Sequence, residues 1–108
     1  MPKYMLIARY TAEGAKGLLK DGGAKRRKVA KDVIKNVGGE LESFYFAFGS
    51  DDAYVIFDAP DSATSAAASL VVSASGAVQT RTVVLITPEE MDDAAKKSSS
   101  VDYKPPGG

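Results

Sequence analysis

Four stretches of the chain read as strands and three others as helices, from apolar periodicity, β-branched and aromatic content and the caps and glycines that bound them. Residues Tyr4 to Tyr10 combine aromatic and aliphatic bulk with alternation, which predicts a strand. Thr11 followed by Ala-Glu-Gly reads as a helix cap. From Ala12 to Val37 the apolar positions Leu18, Leu19, Val29, Val33, Ile34 and Val37 keep helical spacing, with Gly22-Gly23 as a break and Gly38-Gly39 as the terminator. ELESFYFAF (Glu40 to Phe48) and AYVIFDA (Ala53 to Ala59) are strand-like, and Gly49-Ser50-Asp51-Asp52 between them predicts a hairpin turn. Pro60 stops the strand and Asp61 caps an Ala/Ser-rich helix from Ser62 to Ser75, closed by Gly76. AVQTRTVVLI (Ala77 to Ile86) is the last strand. Thr87-Pro88-Glu89-Glu90 then opens a short helix to about Lys97.

The order β-α-β-β-α-β with a terminal helix predicts an α+β, ferredoxin-like fold: a four-stranded antiparallel sheet in order 4-1-3-2 with its helices on one face. Residues 1-97 form the one domain, and residues 98-108, polar and Pro/Gly-rich, are expected to be a flexible tail. The strands carry bulk on both sides. Tyr4, Leu6 and Ala8 oppose Met5 and Ile7; Tyr54 and Ile56 oppose Val55 and Phe57. Phe44, Phe46 and Phe48 oppose Leu41 and Tyr45, and Val83 and Leu85 oppose Val84 and Ile86. The face away from the helices is therefore expected to be apolar, which marks an interface. Burying half of a roughly 1,600 Å² contact as apolar surface supplies about 20 kcal/mol gross, against association costs of about half that. The expected partner is a second copy of the chain. The alternative is a monomer covered by its own terminal helix.

Composition narrows the chemistry. With 108 residues, 14 Lys plus Arg and 14 Asp plus Glu, the chain suits one core and carries no global field toward nucleic acid or anionic membrane. It has no Cys and no His, which excludes disulfides, thiolate nucleophiles, Ser-His pairs and His metal or haem ligation. No cofactor is expected. The apolar run in MPKYMLIARY is interrupted by Arg9 too early for a signal peptide or membrane span, so a cytoplasmic location is expected. Lys25, Arg26, Arg27, Lys28, Lys31 and Lys35 give the first helical region a basic flank, read as a solvated face because aromatic interleaving and net positive charge are missing. Asp51, Asp52, Asp58 and Asp61 lack the spacing of a metal loop, and no metal is expected.

The segments FYFAFGSDDAYVIFDAPD and SASGAVQTRTVVLITPEEM resemble the GYD-domain family of small bacterial proteins, and the resemblance runs from about Lys3 to Lys97. It implies a fold similar to the dimeric α+β barrel proteins and no assigned activity. Of the Gly-Tyr-Asp turn that names the family, Gly49 and Asp52 align here; the Tyr position reads Asp51, and an aromatic follows at Tyr54.

Antiparallel pairing brings the end of the first strand, the hairpin turn and the starts of the third and fourth strands to one edge. Arg9, Asp52, Tyr54 and Arg81 are therefore the candidate ligand-binding residues. Both arginines are expected on the open face, because an unpaired guanidinium under the helices costs several kcal/mol. Two like charges on adjacent strands need something between them: the carboxylate of Asp52 or Glu42, or a small anion such as a carboxylate or phosphate. The expected function is a homo-oligomeric small-molecule-binding or interaction module with an anion cleft. The alternative is a cofactor-independent enzyme, isomerase-like or monooxygenase-like, using an acidic base in the same cleft.

Overall fold

In the computed structural model, which describes residues 1–108, the chain runs β1 (Lys3–Tyr10), α1 (Ala12–Asp21), α2 (Gly23–Asn36), β2 (Glu40–Phe46), β3 (Ala53–Asp58), α3 (Ser62–Ala74), β4 (Val78–Leu85) and α4 (Pro88–Ser98). The sheet order is β2-β3-β1-β4, all neighbours antiparallel, which is the expected 4-1-3-2 counted from the other edge.

Local signals set the element ends. Thr11 Oγ1 accepts from the Gly14 N–H at 3.2 Å, and Asp61 Oδ1 from the Thr64 N–H at 2.8 Å. Thr87 and Glu90 close a reciprocal capping box, each bond 3.0 Å. Gly22, at φ +81°, separates α1 from α2 in a conformation that side chains avoid. Gly14 is required for a different reason: a Cβ there would stand 1.9 Å from the Ala77 carbonyl oxygen, where α1 meets the approach to β4.

α2 and α3 cover one face of the sheet, and the core lies between. Tyr4, Ile34, Val55, Phe57 and Ala59 form its main cluster, and Ala8, Ala53 and Val78 a smaller one. The small residues let α3 approach β4 closely enough for hydroxyl pairs, Ser69 to Thr82 at 3.1 Å and Ser73 to Thr80 at 2.8 Å.

Strand β2 departs from simple alternation. A register irregularity between Leu41 and Ser43 places Leu41 opposite Phe57, so Leu41 packs against the core on the same side as Phe44, not opposite it. The strand also ends at Phe46, two residues earlier than its apolar pattern predicts, because the Ala47 N–H turns to the Asp52 carbonyl at 2.8 Å. The hairpin loop is accordingly wider, and Phe48 is fully exposed at its tip.

The other face carries Met5, Ile7, Tyr54, Ile56, Val83 and Leu85, and no element of the chain packs over it. The terminal helix is not its cover: every residue from Ile86 to Gly108 is exposed. No helix is long and apolar enough to cross a membrane.

Candidate functional site

At the end of the sheet where β1 finishes and β4 begins, Ile7, Arg9, Ser50, Asp51, Gln79, Thr80 and Arg81 line a shallow cleft of about 390 Å³. Strand register makes the two arginines diagonal neighbours, since Arg9 stands opposite Gln79 and Ile7 opposite Arg81. Both face away from the helices, as the desolvation argument requires.

The carboxylate that meets Arg81 is Asp51. Arg81 Nη2 donates to Asp51 Oδ2 at 3.0 Å, and the Asp51 side chain is only 11% exposed while that of Arg81 is 65% exposed. Asp52 is turned elsewhere: its Oδ2 accepts the Tyr10 N–H at 2.8 Å while its own N–H donates to the Ala8 carbonyl at 2.8 Å. Asp52 thus stitches the hairpin loop to the end of β1. Tyr54 stays half-buried on the open face, in the row Tyr45, Tyr54, Ile7, Arg81, with Ile7 between it and the cleft. The structure therefore brings Arg9 and Arg81 together and keeps Asp52 and Tyr54 outside the cleft lining.

Asp51 is the residue that sequence reasoning passed over. Strand alternation extended back from Ala53 points Asp52, not Asp51, to the face of Arg81; the loop's own hydrogen bonds reverse this. The hint in the sequence was the doublet itself, one carboxylate of which the hairpin loop turns to the backbone of β1.

The charge balance of the cleft is uneven. Arg81 is matched by Asp51, whereas Arg9 is exposed and takes part in no ion pair or side-chain hydrogen bond. Glu42, the other carboxylate expected near the arginines, pairs with Lys3 at 2.6 Å at the far end of the sheet, where Asp58 also meets Lys3 at 3.1 Å. The hydrogen bond to Glu42, followed by that to Asp58, raises the Lys3 ammonium above its ordinary 10.5. Hydrogen bonding from Thr64, side chain first and backbone second, lowers the Asp61 carboxyl below its ordinary 3.8. The four aspartates around β3 thus have separate partners, namely Arg81, the Tyr10 N–H, Lys3 and Thr64, and do not gather into a cation site.

Comparison with known proteins gives a match to the family model described as GYD domain, over residues 4–95. No curated protein and no solved structure matches the chain.

Proposed function

Since the chain belongs to the GYD-domain family, whose function is unassigned, we propose its role from its own surface: a homo-oligomeric small-molecule-binding module that takes a small carboxylate or phosphate at Arg9 and Arg81. The observation that carries this reading is the free guanidinium of Arg9 beside the Arg81–Asp51 pair. Arg81 is held in place by a nearly buried carboxylate, so a second anion entering the cleft meets one oriented cation and one uncommitted one. Pairing of two open faces would wall the cleft with the partner's sheet and lower the local dielectric, strengthening both contacts.

The enzymatic alternative is less well supported. It needs a carboxylate free to act as a base, and the acidic side chain in this cleft, Asp51, is already bound to Arg81. Binding asks for no such group.

The test is thermal melting of the native chain, Arg9→Ala and Arg81→Ala against inorganic phosphate and a panel of small carboxylic acids, with molar mass followed by light scattering. A cognate anion at a hundredfold excess over Kd adds about 2.7 kcal/mol, on the order of 10 °C in melting temperature for a chain of this size. The shift is expected in the native chain and is abolished in Arg9→Ala. A native chain that no anion stabilises overturns the reading, as does a shift that survives both substitutions.

A further inference from the structure

Helix α4 is built to specification and used by nothing in its own chain. It has a complete capping box, acidic residues in its first turn and Lys96 and Lys97 in its last, so it is well formed. Its apolar positions Met91, Ala94 and Ala95 follow i, i+3, i+4 spacing, a stripe suited to a groove. Met91 is nonetheless 56% exposed, and the helix makes no substantial packing with any other element. Its first half is acidic: Glu89, Glu90, Asp92 and Asp93.

A groove of matching character lies at the opposite edge of the sheet. Between α2 and β2, Arg27, Lys28 and Lys31 line a groove with Leu41, Phe44 and Tyr45, and its one carboxylate, Glu42, is paired with Lys3. Arg27 and Lys31 have no ion-pair partner, while Lys28 meets Asp32 at 3.2 Å. α4 leaves from β4, three strand spacings or roughly 14 Å from β2. Its two-residue link, Ile86 and Thr87, starts it at the wrong edge for its own groove.

Symmetry removes the difficulty. When two open faces pack about a twofold axis parallel to the strands, height along the axis is kept and the edges exchange, so β4 of one copy lies against β2 of the other. Leu85, Lys3, Asp58 and Glu40 form one row across the sheet, so the end of β4 and the start of β2 are at the same height. α4 of one copy then emerges beside Glu40 of the second copy, next to the groove.

We infer that α4 is an exchange arm: it docks its Met91 stripe into the α2/β2 groove of a second copy, its acidic first half against Arg27 and Lys31 of that copy. This rests on the face-to-face pairing proposed above and is independent of whether the Arg9/Arg81 cleft binds an anion.

Because the chain has no cysteine, two single-cysteine full-length chains report the contact directly: Met91→Cys, and Lys31→Cys carrying a mass tag, mixed and treated with a short bismaleimide. Both positions are exposed, so neither change threatens the fold. A cross-linked heterodimer is expected at high yield. Charge reversal supplies the second measurement: Glu89→Lys with Asp92→Lys should weaken association at least tenfold, and adding Arg27→Glu with Lys31→Glu should restore it. A native chain that is dimeric by light scattering, yet gives no cross-link and no restoration, overturns the arm and leaves the pairing standing. A monomeric native chain overturns both.

Discussion

The two faces of the sheet both carry large apolar side chains and are differently finished. On the covered side, Tyr4, Val55 and Phe57 meet α2 and α3 and become buried core. On the open side, Ile7 alone is buried, beside Arg81 and the hairpin loop, while Met5, Tyr54 and Ile56, of similar bulk and on the same strands, remain only half-buried. Hydrophobicity therefore does not distinguish the core face from the open face in this chain; what distinguishes them is whether the chain supplies its own cover. The covered face holds the fold, and the open face is the surface on which the proposed assembly rests.

The sharpest way to break that contrast is to truncate one large side chain on each side of β3. Phe57→Ala is expected to lower folding stability by about 3–5 kcal/mol, read as a shift in urea midpoint, because Phe57 is 2% exposed and leaves a cavity. Ile56→Lys, one residue away, is expected to shift the light-scattering mass to that of one chain and to cost the folding of that chain less than Phe57→Ala does. Equal losses of folding stability at both positions would erase the distinction.

A finer test compares the neighbouring carboxylates of the hairpin loop. Asp52→Ala strips the Tyr10 N–H of its acceptor and is expected to cost about 1–3 kcal/mol of folding stability. Asp51→Ala releases a guanidinium that is already largely in water, so its folding cost should stay below about 1 kcal/mol while anion affinity changes. Urea titration of both variants, with and without phosphate, separates the loop's structural acid from the cleft's acid.

The smallest effect concerns pH. Lys3 has its ammonium raised above 10.5 by Glu42 and Asp58 on the open face, so the charged form is favoured by folding. Its contribution is complete below the unfolded value and is lost as pH rises through the folded one. Urea midpoints taken from about pH 9 to 12 should fall more steeply for the native chain than for Lys3→Gln, and coincident profiles would remove Lys3 from the account.

Element order, the caps at Thr11, Asp61 and Thr87, and the break at Gly22 were legible because each is a local bargain between a side chain and the nearest backbone. The sheet order followed from connectivity. The irregularity in β2 was not legible, since it depends on how Leu41 meets Phe57 across the hairpin. Nor was the exchange of Asp52 for Asp51 at Arg81: alternation holds only where ladder bonds hold, and it lapses where Ala47 and Asp52 begin to bond as a loop. The cap at Thr87 announced the terminal helix, and a cap does not say on whose surface a helix packs.

The hydroxyl pairs beneath α3 have a consequence for motion. Besides Ser69–Thr82 and Ser73–Thr80, contacts that water can replace almost one for one, α3 buries only the small Ala68 and Ser65 and half-buries Val72, while its larger Leu70 and Val71 point outward. So little buried apolar area makes α3 the most weakly held layer over the core. Its amides should trade deuterium well ahead of those in β1 and β3, so the domain opens from α3 inward, as a hinged flap on a rigid plate.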